Sequence, residues 1–451
     1  MFSDDTVYVG FLVISFLFSF LFRKVKHKNL KQWISTLFGI SIVLAVSGFH
    51  IFHPIICVLV NSVLIKFDRR RCHIFSFIFN FVYLVFFRTI THFGLPYPPA
   101  HTNLIQMMLT LKLVGLSFEV HDSYQILLET KNKDVDAKKY FKIIDEPKIL
   151  EVFHYCFCYI GVLTGPYISY RTYWDFFNRQ YWQKAAYSNL IWTKLKIIPT
   201  LIFCYFTTMW LFPLSEFKND SFYTHSSFIY RIWYMYTSFF IFRTRIYLGF
   251  IFSELICIAS GMGAYPESTD PQPGCGPTRN FESLEKSSAI KEDYSFECIK
   301  SIDIMKVETI STVRGATRIW NMTVQYWFAA YVYSRFPKNK LRTLAAFSMS
   351  AFWHGIYTGY YVSLCTVPLY LIVEDIYDRR HRDYADSAGK RILWTVFLYI
   401  MKMFQFSFWG CNFQLLHIDI ILKYCQSIYF LPYVVIAMMY TFTSYTNLQS
   451  S

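Results

Sequence analysis

The sequence is short of charge. Of its 451 residues only 16% are Asp, Glu, Lys or Arg, against roughly 25% in a typical soluble domain. So few charged side chains cannot cover a chain that is 54% hydrophobic, so a soluble fold is excluded. The same balance excludes intrinsic disorder, which needs low hydrophobicity and high charge. The eleven cysteines contain no CxxC, only the near pair Cys156 and Cys158, so neither a zinc spacing nor a disulfide framework can be read. They read as small apolar packing groups. A phosphate-binding glycine loop is missing too, because Gly261 and Gly263 lack the spacing and the lysine that follows it. What is abundant is aromatic: 47 Phe and 35 Tyr help bring the aromatic share to 21%. Composition therefore implies an all-α polytopic membrane protein.

The net charge, 44 basic minus 30 acidic residues or +14, fits that class. Nucleic acid is not an expected partner, because the Lys and Arg residues gather in clusters at the ends of apolar runs instead of lying between stacking aromatics. The run 7–22 is one bilayer crossing long, and Arg23, Lys24, Lys26, Lys28 and Lys31 follow it. A second basic cluster, 66–71, closes the apolar stretch that starts at residue 32, so that stretch must turn back, near 50–54. A cleavable signal peptide is not expected, since the first apolar run follows Asp4 and Asp5 and precedes the basic patch. Further apolar segments lie at 73–87, 104–118, 152–168, 197–212, 228–242, 246–259, 344–373, 392–409 and 429–442. Hydropathy thus predicts a bundle of about ten transmembrane helices. Two hydrophilic connectors interrupt it, at 119–148 and 261–310. The second carries Pro266, Pro271, Pro273, Gly274, Gly276 and Pro277, which forbid regular helix. No repeat period stands out, and residues 1–451 read as a single integral-membrane domain.

Polar groups inside apolar sequence are where chemistry is to be sought, since burial in a bilayer is costly. His354 lies in an apolar stretch, 341–373, that would be roughly 50 Å long as one helix, against a hydrocarbon core of ~30 Å. Both flanks are basic: Lys338, Lys340 and Arg342 before, Arg379, Arg380 and Arg382 after. Two short arms meeting near Gly355 and Gly359 resolve both difficulties and put a helix break beside the histidine. Broken helices at membrane depth are tolerated only where they line a cavity. An imidazole, with an ordinary pKa of about 6.5, can accept a proton there near neutral pH. A histidine bonded to a neighbouring helix carbonyl fits the sequence as well. The second place is 314–328. Read as a helix, it puts Arg314, Arg318, Asn321 and Gln325 on one face. An amide in that stripe can hold a hydroxyl or carbonyl oxygen, or serve only as glue between helices. Asn321-Met-Thr and Asn219-Asp-Ser match the glycosylation sequon; the first is discounted as buried and the second stays open. His50 and His53 have no carboxylate or cysteine to complete a metal set, and Cys275 and Cys298 have no adjacent base. No metal or cofactor is expected.

Residues 320–325 (Trp-Asn-Met-Thr-Val-Gln) and 350–355 (Ser-Ala-Phe-Trp-His-Gly), followed by Gly359, Tyr360 and Tyr361, resemble the membrane-bound O-acyltransferase family. Within it they are most similar to the lysophosphatidylinositol acyltransferase branch. Supporting stretches are 109–114, 159–167 with 170–173, 245–247 and 258–266, so the resemblance covers nearly the whole chain. One departure is Thr358, where such enzymes usually have proline. The resemblance implies broken or re-entrant helices around a central reaction chamber in the endoplasmic reticulum membrane. It also implies fatty acyl-CoA as co-substrate and lysophosphatidylinositol as acceptor, acylated at the sn-2 hydroxyl with a polyunsaturated chain. His354 is then the expected general base and Asn321 its positioning partner. Arg318, Gln325, Trp320 and Trp353 are the expected substrate contacts, with Arg314 and Arg318 as candidates for attracting CoA phosphates. Two alternatives remain: a family member acting on another lysophospholipid or a secreted protein, and a transporter with an intramembrane His/Asn site, although paired carboxylates and inverted repeats are missing.

Overall fold

The computed structural model describes residues 4–129, 144–284, 293–339, 341–384 and 387–448. It is helical almost throughout. In chain order the helices are α1 Asp4–Lys24, α2 Lys28–Ser47, α3 Phe52–Phe67, α4 Cys72–Arg88, α5 Ala100–Glu129, α6 Ile149–Cys156, α7 Tyr170–Asn178, α8 Ser188–Leu195, α9 Ile198–Leu211, α10 Asp220–His225 and α11 Phe228–Ser260. They continue as α12 Ile304–Thr309, α13 Val313–Arg318, α14 Met322–Tyr331, α15 Arg342–His354, α16 Thr358–Leu364, α17 Val367–Tyr384, α18 Ala388–Leu415, α19 Ile418–Ser427 and α20 Leu431–Leu448. The one sheet among the described residues is a pair of two-residue strands, Tyr265–Pro266 and Tyr294–Ser295, antiparallel within the Pro/Gly connector.

Five helical segments are long and apolar enough to cross a membrane by length and composition, among the described residues: Thr6–Lys24, Lys28–Phe67, Ala100–Glu129, Ser188–Lys218 and Ala388–Leu415. Ile418–Ser427 and Leu431–Phe442 form a sixth, bent by 66° at its break. The stretches 73–87, 152–168 and 344–373 fall on shorter or broken helices, while 228–242 and 246–259 run together in the single helix α11, so the spans read from hydropathy do not map one to one onto helices. Phe203, Trp210 and Leu393 are 70%, 80% and 73% exposed, which suits helix faces turned to lipid. Between α2 and α3 the chain passes through a 3-10 segment, Gly48–Ile51, opened by Gly48 at φ +54°, where a glycine avoids the steric penalty of a Cβ.

The chain packs as two compact units built from interleaved segments. The first comprises Met1–Lys196, Gly249–Ser301 and Asn321–Tyr331; the second Ile197–Leu248, Ile302–Trp320 and Val332–Ser451. In the first, a buried polar cluster joins α3 to α4: Ser76 Oγ donates to Asn61 Oδ1 at 2.5 Å, and Asn80 Nδ2 donates to the same oxygen at 2.9 Å. Interhelical bonds of this kind replace the hydrophobic drive that a bilayer does not supply. Tyr155, Tyr159, Tyr167 and Trp327, each at most 2% exposed, form its aromatic centre. The second unit is centred on Tyr234, Met235, Tyr370, Phe408 and Tyr424.

Residues 119–129 of the first connector are helical, and 119–126 are at least half-buried. Helix α5 runs on to Glu129, and Glu119 turns inward to accept the backbone N–H groups of Tyr170 and Arg171, both at 2.9 Å. These are two of the orphan amides at the start of α7, where a carboxylate also meets the positive end of the helix dipole. Residues 130–143 of that connector lie outside the described residues.

Candidate active site

The apolar stretch around His354 breaks where its length and flanks require. Helix α15 ends at His354, Gly355 continues in extended backbone, and α16 restarts at Thr358 after Tyr357 as its N-cap. Thr358 is therefore the first helical residue, the position at which proline is favoured because its N–H has no intrahelical acceptor. The helix break thus forms with threonine where proline is usual. Ser348 Oγ and Cys365 Sγ, 3.4 Å apart, tie α15 to the segment beyond α16. Helix α16 then lies hard against α18. Gly359 N–H donates to Leu416 O at 2.8 Å, and Ser363 Oγ donates to Trp409 O at 2.8 Å. A Cβ on Gly359 would stand 2.5 Å from Asn412 O and 2.9 Å from Leu416 Cα, so only glycine permits this approach.

The outcome is an imidazole in an aromatic wall. The His354 ring centroid lies 4.8 Å from Trp353, 5.0 Å from Phe413 in an edge-on arrangement and 5.9 Å from Tyr360; Tyr360 and Phe413 are themselves 4.6 Å apart. His354 is half-buried, neither sealed in hydrocarbon nor free in solvent, while Trp353 behind it is only 4% exposed. An accessible imidazole with apolar walls suits proton transfer to or from a substrate hydroxyl. Tyr360 and Phe413 were not among the sequence candidates. Tyr360 was visible in the Gly-Tyr-Tyr run, whereas Phe413, 59 residues beyond His354, carried no local signal.

The polar stripe at 314–328 is not one helix. Helix α13 ends at Arg318, Asn321 takes a left-handed backbone at φ +48°, and α14 begins at Met322. Asparagine tolerates that conformation better than most residues, and this divides the expected face. Asn321 and Gln325, both half-buried, belong to the first unit; Arg314, Arg318 and Trp320 belong to the second, together with His354 and Trp353. Asn321 O accepts the N–H of Gln325 at 2.9 Å, placing the asparagine at the N-terminal cap of α14.

Three of the bonds that hold α14 in the first unit reach distant segments. Met322 N–H donates to Ser301 O at 2.7 Å, Tyr167 N–H donates to Thr323 Oγ1 at 3.2 Å, and Trp327 Nε1 donates to Leu111 O at 2.9 Å. The stretches 109–114 and 159–167, quoted above for the family resemblance, are thus the seat of the Asn321 helix.

In the second unit Glu374 accepts the N–H groups of Val313 and Arg314 at 2.6 and 2.8 Å, the same device that Glu119 uses on α7. The Arg314 guanidinium grips Asp375 with two bonds, Nε to Oδ1 at 2.6 Å and Nη2 to Oδ2 at 2.5 Å. That commitment removes Arg314 as a loose cation for CoA phosphates. The acidic pair closing the apolar run, Glu374 and Asp375, was the sequence signal for it. Arg318 is exposed, and Trp320 packs 5.6 Å from Tyr247, whose hydroxyl donates to Glu308 at 2.7 Å. Asn219 of the second sequon is exposed at the cap of α10. Among the described residues no group of three His, Cys, Asp or Glu side chains is gathered to hold a metal ion.

Comparison with known proteins gives the family. The chain is 36% identical over 450 residues to the membrane-bound acylglycerophosphatidylinositol O-acyltransferase of Drosophila melanogaster, covering 97% of this chain and 91% of that one. It is 33% identical over 436 residues to the protein of the same description from Homo sapiens (95% and 91%), and 31% identical over 388 residues to that of Caenorhabditis elegans (83% and 81%). Residues 95–416 match the family model described as MBOAT, membrane-bound O-acyltransferase family. That match takes in the broken helix, its histidine and the Asn321 cap, and the chain belongs to the membrane-bound O-acyltransferase family.

Proposed function

We propose that this chain is an acyl-CoA-dependent lysophospholipid O-acyltransferase of the endoplasmic reticulum membrane. It acylates the sn-2 hydroxyl of lysophosphatidylinositol to form phosphatidylinositol, and the donor chain is polyunsaturated. The observation that carries the proposal is a half-buried, aromatic-walled imidazole at a helix break, in a chain whose relatives are acylglycerophosphatidylinositol acyltransferases. The inositol head group rests on those relatives' names, and the chemistry rests on the site.

His354 takes the proton of the acceptor hydroxyl as its oxygen attacks the thioester carbon of acyl-CoA. The tetrahedral intermediate expels the CoA thiolate, and the imidazolium returns its proton to the sulfur, giving ester and free CoA with no net proton change. Thiolate leaves readily, so the step uses no metal and no acyl-enzyme; acyl-CoA is consumed as co-substrate. Asn321 orients the hydroxyl or the thioester carbonyl through its amide. We read residues 1–451 as one acyltransferase domain.

The test is His354→Ala in microsomes given one acyl-CoA and a mixture of lysophospholipids. General-base catalysis contributes ~10²–10⁴-fold, so turnover should fall by that order while the variant is expressed and inserted normally. Full activity in His354→Ala would refute the base assignment. Acylation of lysophosphatidylcholine in preference to the inositol lipid would refute the head group.

A further inference from the structure

Glu119 and Glu374 each spend a carboxylate on two amides at a helix start. Glu254 does something different. It lies in the last turns of α11, inside the apolar run 246–259, and is 1% exposed. Its Oε1 accepts the N–H of Ser301 at 2.6 Å, and its Oε2 accepts the ammonium of Lys194 on α8. Ser301, also 1% exposed, belongs to no helix or strand. The N–H that Glu254 takes is therefore not one of the orphan amides that a helix start leaves. A carboxylate buried in apolar sequence is costly, so its role is to be sought on the far side of the residue it holds.

That far side is the carbonyl of Ser301, which accepts the N–H of Met322 at 2.7 Å. Met322 directly follows Asn321. Lys194, Glu254, Ser301 and Met322 thus form an unbroken line of polar contacts, all of it in the first unit with Asn321. Asn321 needs such a hold. Its φ of +48° lies in the left-handed basin, which a residue with a Cβ enters at a cost and keeps only where its surroundings over-determine it. The peptide unit that joins Asn321 to Met322 is gripped at both ends. Its C=O accepts the N–H of Gln325 at 2.9 Å, and its N–H donates to Ser301 O. The first grip is an ordinary helical bond; the second comes from outside α14 and depends on Ser301 staying in place. Without it the peptide plane is free to turn, Asn321 relaxes toward the right-handed basin, and its Cα–Cβ bond is aimed elsewhere.

We propose that Glu254 is a positioning residue for acyl transfer: it locks the Ser301 peptide, and through it the left-handed backbone that aims the Asn321 amide. Lys194 holds the carboxylate in the rotamer that serves Ser301. A carboxylate suits this role better than a neutral acceptor, because charge-assisted bonds are shorter and stronger and Glu254 makes two at once. Its part is orientation, not proton transfer, so its loss should be felt in kcat and not in the binding of either substrate. The inference rests on the reading of Asn321 as the residue that orients the hydroxyl or the thioester carbonyl, and the test tells the two failures apart.

The experiment measures initial-rate acyl transfer by the full chain purified in detergent, with Lys194→Met paired to a neutral residue at 254 so that no buried charge is left alone. Glu254→Gln with Lys194→Met keeps an oxygen for the Ser301 N–H and should hold kcat within about 3-fold of the native chain. Glu254→Leu with Lys194→Met deletes the acceptor and should lower kcat by about 10- to 100-fold, with KM unchanged for acyl-CoA and for lysophosphatidylinositol. Adding Asn321→Gly to both pairs closes the cycle. Glycine has no amide to aim, so the glutamine and leucine pairs should then turn over equally. A Glu254 that only stabilises the fold would carry its full loss of rate into the Asn321→Gly background, and that result overturns the proposal. So does native kcat in the leucine pair. Should the leucine pair fail to fold, Glu254→Gln alone carries the test. With Lys194 present the amide oxygen turns to the ammonium and its NH2 faces the Ser301 N–H, so kcat should fall and Lys194→Met should restore it; unchanged kcat in Glu254→Gln is the overturning result. Native turnover in Asn321→Gly alone defeats the Asn321 reading and this inference with it, whereas a loss there with none in the leucine pair defeats this inference only.

Discussion

Gly359 is the most exacting test of how the site is held. Replacing it with alanine puts a methyl 2.5 Å from Asn412 O and 2.9 Å from Leu416 Cα, both backbone atoms that cannot rotate aside. An ordinary contact of ~3.5 Å is restored only if α16 withdraws from α18 by about 1 Å. The two sides of the His354 wall sit on these helices, Tyr360 on α16 and Phe413 on α18, so the same 1 Å opens the wall around the imidazole. A misplacement of that size costs ~10²-fold in rate, and overpacking of this kind costs ~1–3 kcal/mol in stability. The assay is initial-rate acyl transfer with purified protein at saturating acyl-CoA, alongside a thermal unfolding scan. The expected result is kcat reduced on the order of 10²-fold with a lowered Tm. The control is Gly389→Ala in the first turn of α18, where a Cβ meets nothing within 4 Å and an alanine adds ~0.5–1 kcal/mol of helix stability. Native kcat and Tm in Gly359→Ala would show that the helix contact does not hold the histidine, and the reasoning would fall.

Three further outcomes separate roles that the structure joins. Asn321→Gly preserves the left-handed backbone at φ +48° while deleting the amide; it should keep its Tm and lose on the order of 10²-fold in kcat, and native turnover would make the residue a cap only. Arg318→Glu reverses an exposed charge and should raise the apparent KM for acyl-CoA at low salt, with the effect fading as salt screens it; an unchanged KM removes Arg318 from the donor's path. Glu374→Gln can still accept one of the two amides of Val313 and Arg314, so a loss of ~1–3 kcal/mol is expected in thermal unfolding; no change in Tm would mean the α13 start is held by Thr312 alone.

The break at His354 was legible because three local signals coincide there: an apolar stretch too long for one crossing, basic residues at both ends, and glycines at 355 and 359. The aromatic character of the site was equally plain from composition. Asn321 was found, but its setting was not. A 3.6-residue period fits Arg314, Arg318, Asn321 and Gln325 onto one face, and nothing in that spacing shows that one residue leaves the helical basin. The fates of Arg314 and Glu119 escaped for a different reason. Asp375 lies 61 residues beyond Arg314, and the amides that Glu119 satisfies lie 51 and 52 residues beyond it. Charge in the sequence therefore suggested water and substrate where folding had already supplied a partner. The interleaving of two units is likewise a product of long-range packing, which neither hydropathy nor motif spacing records.

The threonine that opens α16 has a consequence for how the bend endures. A pyrrolidine ring would write the kink into the covalent chain, so the corner would persist even in a loosened protein. Here the corner depends on Gly359 and Ser363 being clasped by the far end of α18. Whatever slackens that clasp, whether heat, a bulky substitution or a thinner bilayer, lets the two arms relax toward a straight rod. Catalytic geometry should then fade before the bundle itself melts.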